Sequence, residues 1–201
     1  MRRAKRHLWL SLLFLGACQT AWAVVPMEYF YGLVAGQGDV GNRDGAFNQA
    51  LFGEPSGLAL NDDETTLYVA DAGNHTLRAI ALDHHNTVST LAGTGQRGAQ
   101  DGAFAEASFD RPRNIVLLPD NTLALYDSGN ACVRLVDLTQ RTVRLWFRLA
   151  EPRADGKDPD PALRIHSMVY SAEEKTLYFS QPDSERVMRI QPGESQPTAA
   201  F

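Results

Sequence analysis

Gly93, Gly95 and Gly98 stand at G-x-G-x-x-G spacing in the stretch AGTGQRGAQDGAF, residues 92–104. That spacing suits dinucleotide chemistry, because it lets backbone approach a pyrophosphate resting on the N-terminus of the helix that follows. The chemistry needs that helix. After Gly98 the chain instead passes the turn signal Asp101-Gly102 and then Pro112, and reaches Ile115-Val116-Leu117-Leu118. A short aliphatic run bounded by turn formers reads as a strand, so the context for a nucleotide loop is missing. The pattern also occurs twice. AGQGDVGNRDGAFNQALFGEP, residues 35–55, matches AGTGQRGAQDGAFAEASFDRP, residues 92–112, at a constant offset, and a repeated loop is architecture.

Other chemistry-bearing residues are sparse. His84-His85 lies in a turn with Asp83 and Asn86, and adjacent residues in a turn seldom aim at one metal. Asp71-Ala72-Gly73-Asn74 and Asp127-Ser128-Gly129-Asn130 repeat a D-x-G-N turn, in which Asp is expected to accept from turn amides while Gly or Asn takes positive φ. Calcium would need more oxygens than each turn offers. Cys132 reads as a small buried strand residue. No Ser/His/Asp order, paired acids or P-loop is found in a context that supports catalysis, so no catalytic residue, metal or cofactor is assigned.

The N-terminus reads as an export signal. Arg2, Arg3, Lys5 and Arg6 form a basic region, LWLSLLFLGA (residues 8–17) an apolar one, and Ala21-Trp22-Ala23 a small-residue cleavage site. Leu15-Gly16-Ala17-Cys18 also resembles a lipobox, with Cys18 as the lipidated residue. The expected location is therefore periplasm, outer membrane (through a Cys18 lipid) or secreted. Removing residues 1–23 takes away four basic groups and moves the formal charge from −5 to −9. An acidic chain argues against a nucleic-acid partner, and a membrane is met only through a lipid on Cys18.

The elements that must position any site follow from the repeats. Residues 56–80 (SGLALNDDETTLYVADAGNHTLRAI), 113–136 (RNIVLLPDNTLALYDSGNACVRLV) and 166–190 (HSMVYSAEEKTLYFSQPDSERVMRI) each contain strand, turn, strand, tight turn, strand. The first two copies run on into a fourth strand, at 87–91 and 142–149. Four short antiparallel strands per unit build a propeller blade. The string AGxGxxGxxDGxxxxAxFxxP followed by LYVADAGNHTLRAI resembles the NHL repeat family, and the third copy departs from it. The resemblance implies an all-β propeller, usually six-bladed. It implies little about chemistry, although a few NHL-type lyases hold zinc with channel histidines, for which His166 is the best-placed candidate. The expected organisation is a signal at 1–23 and a propeller segment at 24–201, with blades at about 56–92, 113–149 and 164–201. The count is just under three four-stranded blades plus one N-terminal outer strand near Tyr29–Val34. An arc of that kind leaves strand edges that continue in a longer chain or pair by self-association.

Phe47, Phe52, Phe104 and Phe109 are expected to pin the long glycine loops, with Ala50 and Ala107 allowing close approach. The loop before each first strand and the turn between the second and third strands share one end of the blade. That places Arg43, Asp44, His75, Arg97, Gln100, Asp101, Arg113 and His166 on one loop-bearing face, where binding residues concentrate. The expected function is a binding or scaffold module for a protein, peptide or glycan. The alternatives are a channel-centred enzyme of the NHL-type lyase class and a structural module of a larger protein.

Overall fold

The computed structural model describes residues 32–151 and 159–200, so the expected signal at 1–23 and Cys18 lie outside the described residues. The described chain holds three antiparallel sheets in sequence order and no α-helix among its described residues. The first sheet, blade 1, comprises β1 (Pro55–Leu60), β2 (Thr66–Asp71), β3 (Thr76–Ala81) and β4 (Val88–Ala92). Blade 2 comprises β5 (Gly102–Ala103), β6 (Pro112–Leu118), β7 (Thr122–Asp127), β8 (Cys132–Asp137) and β9 (Thr142–Arg148), in the order β5-β9-β8-β7-β6. Blade 3 comprises β10 (Ser167–Ser171), β11 (Thr176–Gln181), β12 (Arg186–Ile190) and β13 (Thr198–Ala199). These are the blades of a β-propeller that is partial and not closed.

One strand reading needs correction. The third copy has a fourth strand: β13 pairs Met188 with Ala199 and Arg189 with Thr198, within a polar tail whose composition carries no strand signal. The expected outer strand near residues 29–34 falls partly outside the described residues, and Gly32, Leu33 and Val34 are not in a strand. The role of an extra outer strand falls instead to the glycine loops. Gly102 and Ala103 pair with Val143 and Thr142 at the edge of blade 2, and Gly45 exchanges both backbone hydrogen bonds with Val88 in blade 1 (3.0 and 2.8 Å).

The sheets stack face to face, which explains why the middle strands carry apolar residues on both sides. Successive side chains of β7 point to opposite faces. Leu123 and Leu125 pack with Tyr68, Ala70 and Leu77 of blade 1, whereas Ala124 and Tyr126 pack with Leu177 and Phe179 of blade 3. Each fully buried Leu or Phe here contributes roughly 1.5–3 kcal/mol. The innermost strands approach most closely at Gly57, where any Cβ would meet the Arg113 carbonyl. Phe104, Phe109, Ala50 and Ala107 are buried as expected. Phe47 and Phe52 are only half-buried among the described residues. Leu58 and Leu60, paired with Val69 and Leu67, stay exposed.

Candidate functional site

The loops that build the candidate site are tied down by a side chain that the motif reading passed over. Arg78 on β3 and Arg134 on β8 are the largest fully buried side chains. Arg78 donates to Asp71 at 2.9 Å and to Asp44 at 2.6 Å. Arg134 donates to Asp127 at 3.1 Å and to Asp101. Their terminal guanidinium nitrogens also reach loop carbonyls, Leu51 and Arg43 for Arg78 (3.0 and 3.1 Å) and Gln100 for Arg134 (2.8 Å). Each guanidinium also lies over a loop ring, Phe52 at 5.1 Å and Phe109 at 5.6 Å, a cation–π contact. The loop acids hold the outermost strand too: Asp44 accepts from the Thr90 amide at 2.9 Å and Asp101 from the Leu145 amide at 3.0 Å. In blades 1 and 2 one arginine thus fastens the glycine loop, the second strand and the fourth strand together.

The D-x-G-N turns work differently from the sequence expectation. Asp71 does not cap its own turn. Its carboxylate accepts from the Gly53 amide at 2.7 Å and from Asn74 at 2.8 Å, as Asp127 does from the Asp110 amide and Asn130, both at 2.7 Å. The asparagine then donates across to the third glycine of the loop, Asn74 to Gly41 and Asn130 to Gly98, each at 2.7 Å. Positive φ falls on the residue after the turn, His75 (55°) and Ala131 (48°), rather than on Gly or Asn. The turn glycine is needed for room: a Cβ on Gly129 would collide with the Asp110 carboxylate.

Blade 3 lacks this latch on both sides. Gln181 stands where Asp71 and Asp127 stand, and Met188 where Arg78 and Arg134 stand. Gln181 instead donates to the Leu163 carbonyl at 3.1 Å, a neutral bond where blades 1 and 2 have a carboxylate.

Electrostatics follow burial. Burial acts to raise the Asp44 carboxyl, but the Thr90 amide and the Arg78 guanidinium outweigh it and hold it below its ordinary value. Burial pushes Asp127 up to about 7, against the hydrogen bonds from Asn130 and the Asp110 amide and the charge of Arg134. Burial pushes the Cys132 thiol up to about 12, which makes it an inert core residue.

Of the expected site residues, Asp44 and Asp101 are therefore engaged in the latches. Arg43 is held inside its own loop, donating to the Gln49 carbonyl at 2.6 Å and to Gln37 at 2.9 Å. The Gln100 carbonyl serves Arg134. Arg97 and His75 meet at Asp110, which is 2% exposed. Arg97 donates to that carboxylate at 2.9 Å, Arg111 lies 3.6 Å from it, and His75 accepts the Arg111 amide at 3.1 Å through Nδ1. Among the described residues no group of three or more His, Cys, Asp or Glu is arranged to hold a metal.

Arg113 and His166 are the two that converge. They border a cleft of about 420 Å³ between blades 2 and 3, lined also by Arg111, Arg164, Tyr126 and Ser128. The repeat explains the pairing. Arg113 and His166 occupy the same position at the start of the first strand, and Arg111 and Arg164 precede them by two residues. Blade 1 has Glu54 and Ser56 at those places, so only this junction is basic on both walls. Ser128 donates to the Arg111 carbonyl at 2.6 Å, Asn114 donates to the His166 carbonyl at 2.9 Å, and Asp183 is the acid on the rim. Burial raises the Tyr126 hydroxyl, while the Ile165 amide and the Arg164 charge pull it down. Sequence reasoning missed Arg111, Arg164 and Ser128, although the equivalence of the two copies marks the first two.

Known proteins place this architecture. The sequence pattern of the NHL repeat matches residues 52–80. Human NHL repeat-containing protein 2 is 30% identical over 121 residues, covering 58% of this chain and 16% of that protein. The Arabidopsis thaliana protein SUPPRESSOR OF QUENCHING 1, chloroplastic, is 44% identical over 66 residues, 33% of this chain and 6% of its own length. The chain thus spans a small part of the length of these relatives. Among solved structures, an auxiliary nutrient binding protein from Bacteroides thetaiotaomicron superposes with a TM-score of 0.54 at 17% identity, over 71% of this chain and 38% of that one. A virginiamycin B lyase from Staphylococcus aureus superposes with a TM-score of 0.51 at 10% identity, over 78% and 44%. At such identities these likenesses concern the fold alone. The matched repeat and the stacked four-stranded blades agree that this chain contains an NHL repeat and folds as part of a β-propeller.

Proposed function

We propose that the chain is an exported, non-catalytic recognition module that binds a protein or peptide through its loop-bearing face. A glycan is the alternative ligand. One observation carries this reading: the cleft between blades 2 and 3 gathers loop side chains from two blades on a rigid frame, the arrangement by which scaffolds present binding residues. The latches support it from the other side, since blades 1 and 2 use their loop acids to hold themselves together, whereas blade 3 carries Gln181 and Met188 in place of the latch Asp and Arg.

The test is site-specific photocrosslinking in the native host. A benzoylphenylalanine at His166 is expected to capture a discrete partner, while the same group at Glu173, between β10 and β11 at the other end of the blade, captures none. Equal capture at both positions, or at neither, refutes the reading. Export is tested separately by intact mass of envelope material, which is expected to show loss of residues 1–23 or a diacylated Cys18. Full-length chain retaining Met1 in that fraction overturns it.

A further inference from the structure

We propose that the cleft between blades 2 and 3 is an oxyanion site, which takes a carboxylate or phosphate group of a bound peptide. The proposal rests on the recognition reading above and names the chemistry that the cleft selects.

The walls argue for it. Arg113 and Arg164 are exposed side chains on opposite sides of the cleft, one leading β6 and one leading β10. Neither guanidinium forms an ion pair or hydrogen bond with a described acidic side chain, in contrast to Arg78, Arg134 and Arg97, each of which meets a carboxylate. In a chain of net charge −5, two guanidinium groups that pair with no described acid and face one concavity make a local positive field. Such a field concentrates anions, and the low-dielectric walls strengthen it. Guanidinium is also the side chain whose planar fork matches carboxylate and phosphate oxygens in two parallel hydrogen bonds.

The repeat makes the placement specific. At the equivalent positions blade 1 carries Glu54 and Ser56, so the basic pair is absent from the junction between blades 1 and 2. There the buried Asp110 already occupies the place of an anion, with Arg97 at 2.9 Å and Arg111 at 3.6 Å. In blade 3 the residue equivalent to Asp110 is Leu163. The protein's own carboxylate is therefore missing at the junction where the arginines are exposed, and an oxyanion from outside takes the equivalent part. His166 and the Ser128 hydroxyl add polar atoms to the lining, and Asp183 is the acid among the lining residues.

The test uses the mature chain and three fluorescent peptides of equal length: one rich in glutamate, one carrying a single phosphoserine, and a glutamine control. Fluorescence anisotropy is expected to show binding of the glutamate or the phosphoserine peptide, weakened at raised salt, and no binding of the control. Which anionic peptide binds identifies the source of the oxyanion. Arg113→Gln with Arg164→Gln is expected to weaken that binding at least tenfold, and the Arg→Lys pair less. Arg144→Gln with Lys175→Gln, which border the opposite-face cleft, is expected to leave it unchanged. Both arginines are exposed and unpaired with described acids, so the melting temperature is expected to hold. Failure of both anionic peptides to bind, or equal weakening by the opposite-face pair, overturns the proposal. Persistent crosslinking at His166 that is indifferent to the arginine pair overturns this inference and leaves the recognition reading standing.

Discussion

Converting the latch of blade 2 into the chemistry of blade 3 is expected to expose how the loops are held. Arg134→Met removes a side chain that is 1% exposed from between Asp127, fully buried, and Asp101, about half exposed. It leaves the Gln100 carbonyl without its 2.8 Å donor and removes the cation from the Phe109 ring. Stripping one partner from a buried ion pair costs about 3–5 kcal/mol, because the other charge stays buried and unpaired. For a chain of this size 1 kcal/mol shifts Tm by roughly 2–4 °C, so a loss of about 4 kcal/mol is roughly 8–16 °C. Asp127→Gln alone should cost about 3 kcal/mol, since Arg134 keeps Asp101. The double variant reproduces the Gln181 and Met188 combination of blade 3 and should cost well under the sum, with a coupling of at least about 2 kcal/mol. Urea denaturation followed by circular dichroism at about pH 8, above the Asp127 value, measures all three. A cost below about 1 kcal/mol for Arg134→Met, or strict additivity in the double variant, would refute the latch.

Three further outcomes are expected. Phe104→Ala should cost about 3–5 kcal/mol as a large-to-small change at a buried ring, and Phe47→Ala clearly less, because its ring is half-buried; equal costs would contradict the difference in packing between the two loops. Cys132, pushed up to about 12, should resist a maleimide in the native protein and react at once in denaturant, and rapid native labelling would show that blade 2 opens. Asp44 and Asp127 should give opposite pH limbs. Asp44 is lowered on folding, so its contribution is present above its ordinary value of 3.8 and is lost as pH falls through the folded value. Asp127 is raised to about 7, so its contribution is complete below 3.8 and is lost as pH rises through about 7. Asp127→Asn should flatten the stability profile near neutral pH while leaving the acid limb, and an unchanged neutral limb would assign that titration elsewhere.

Local order along the chain carried most of the fold. Strand, turn and loop recur in register from residue 35 to residue 148, and period-two patterns with Gly and Asp turns need no distant partner to be read. The aromatic pins at Phe104 and Phe109 were equally legible, since a long loop must supply its own packing. The readings that failed depend on contacts between segments. The D-x-G-N carboxylates looked like turn caps because the turn is local, but their partners, the Gly53 and Asp110 amides, lie 17 or 18 residues away. Arg78 and Arg134 looked like ordinary strand residues. They become staples only when the loop acids, 33 or 34 residues earlier, fold over them, although the joint replacement of Asp and Arg by Gln181 and Met188 was a trace of the pairing. Strand β13 has no local signal and exists because β12 offers it an edge. The cleft is the extreme case. Arg113 and His166 were each visible as loop-face residues, but whether two side chains 53 residues apart line one concavity is decided by the stacking of blades 2 and 3 over their shared apolar core. Burying that core is what brings the two strand starts together, and residue type alone has no means of encoding that distance.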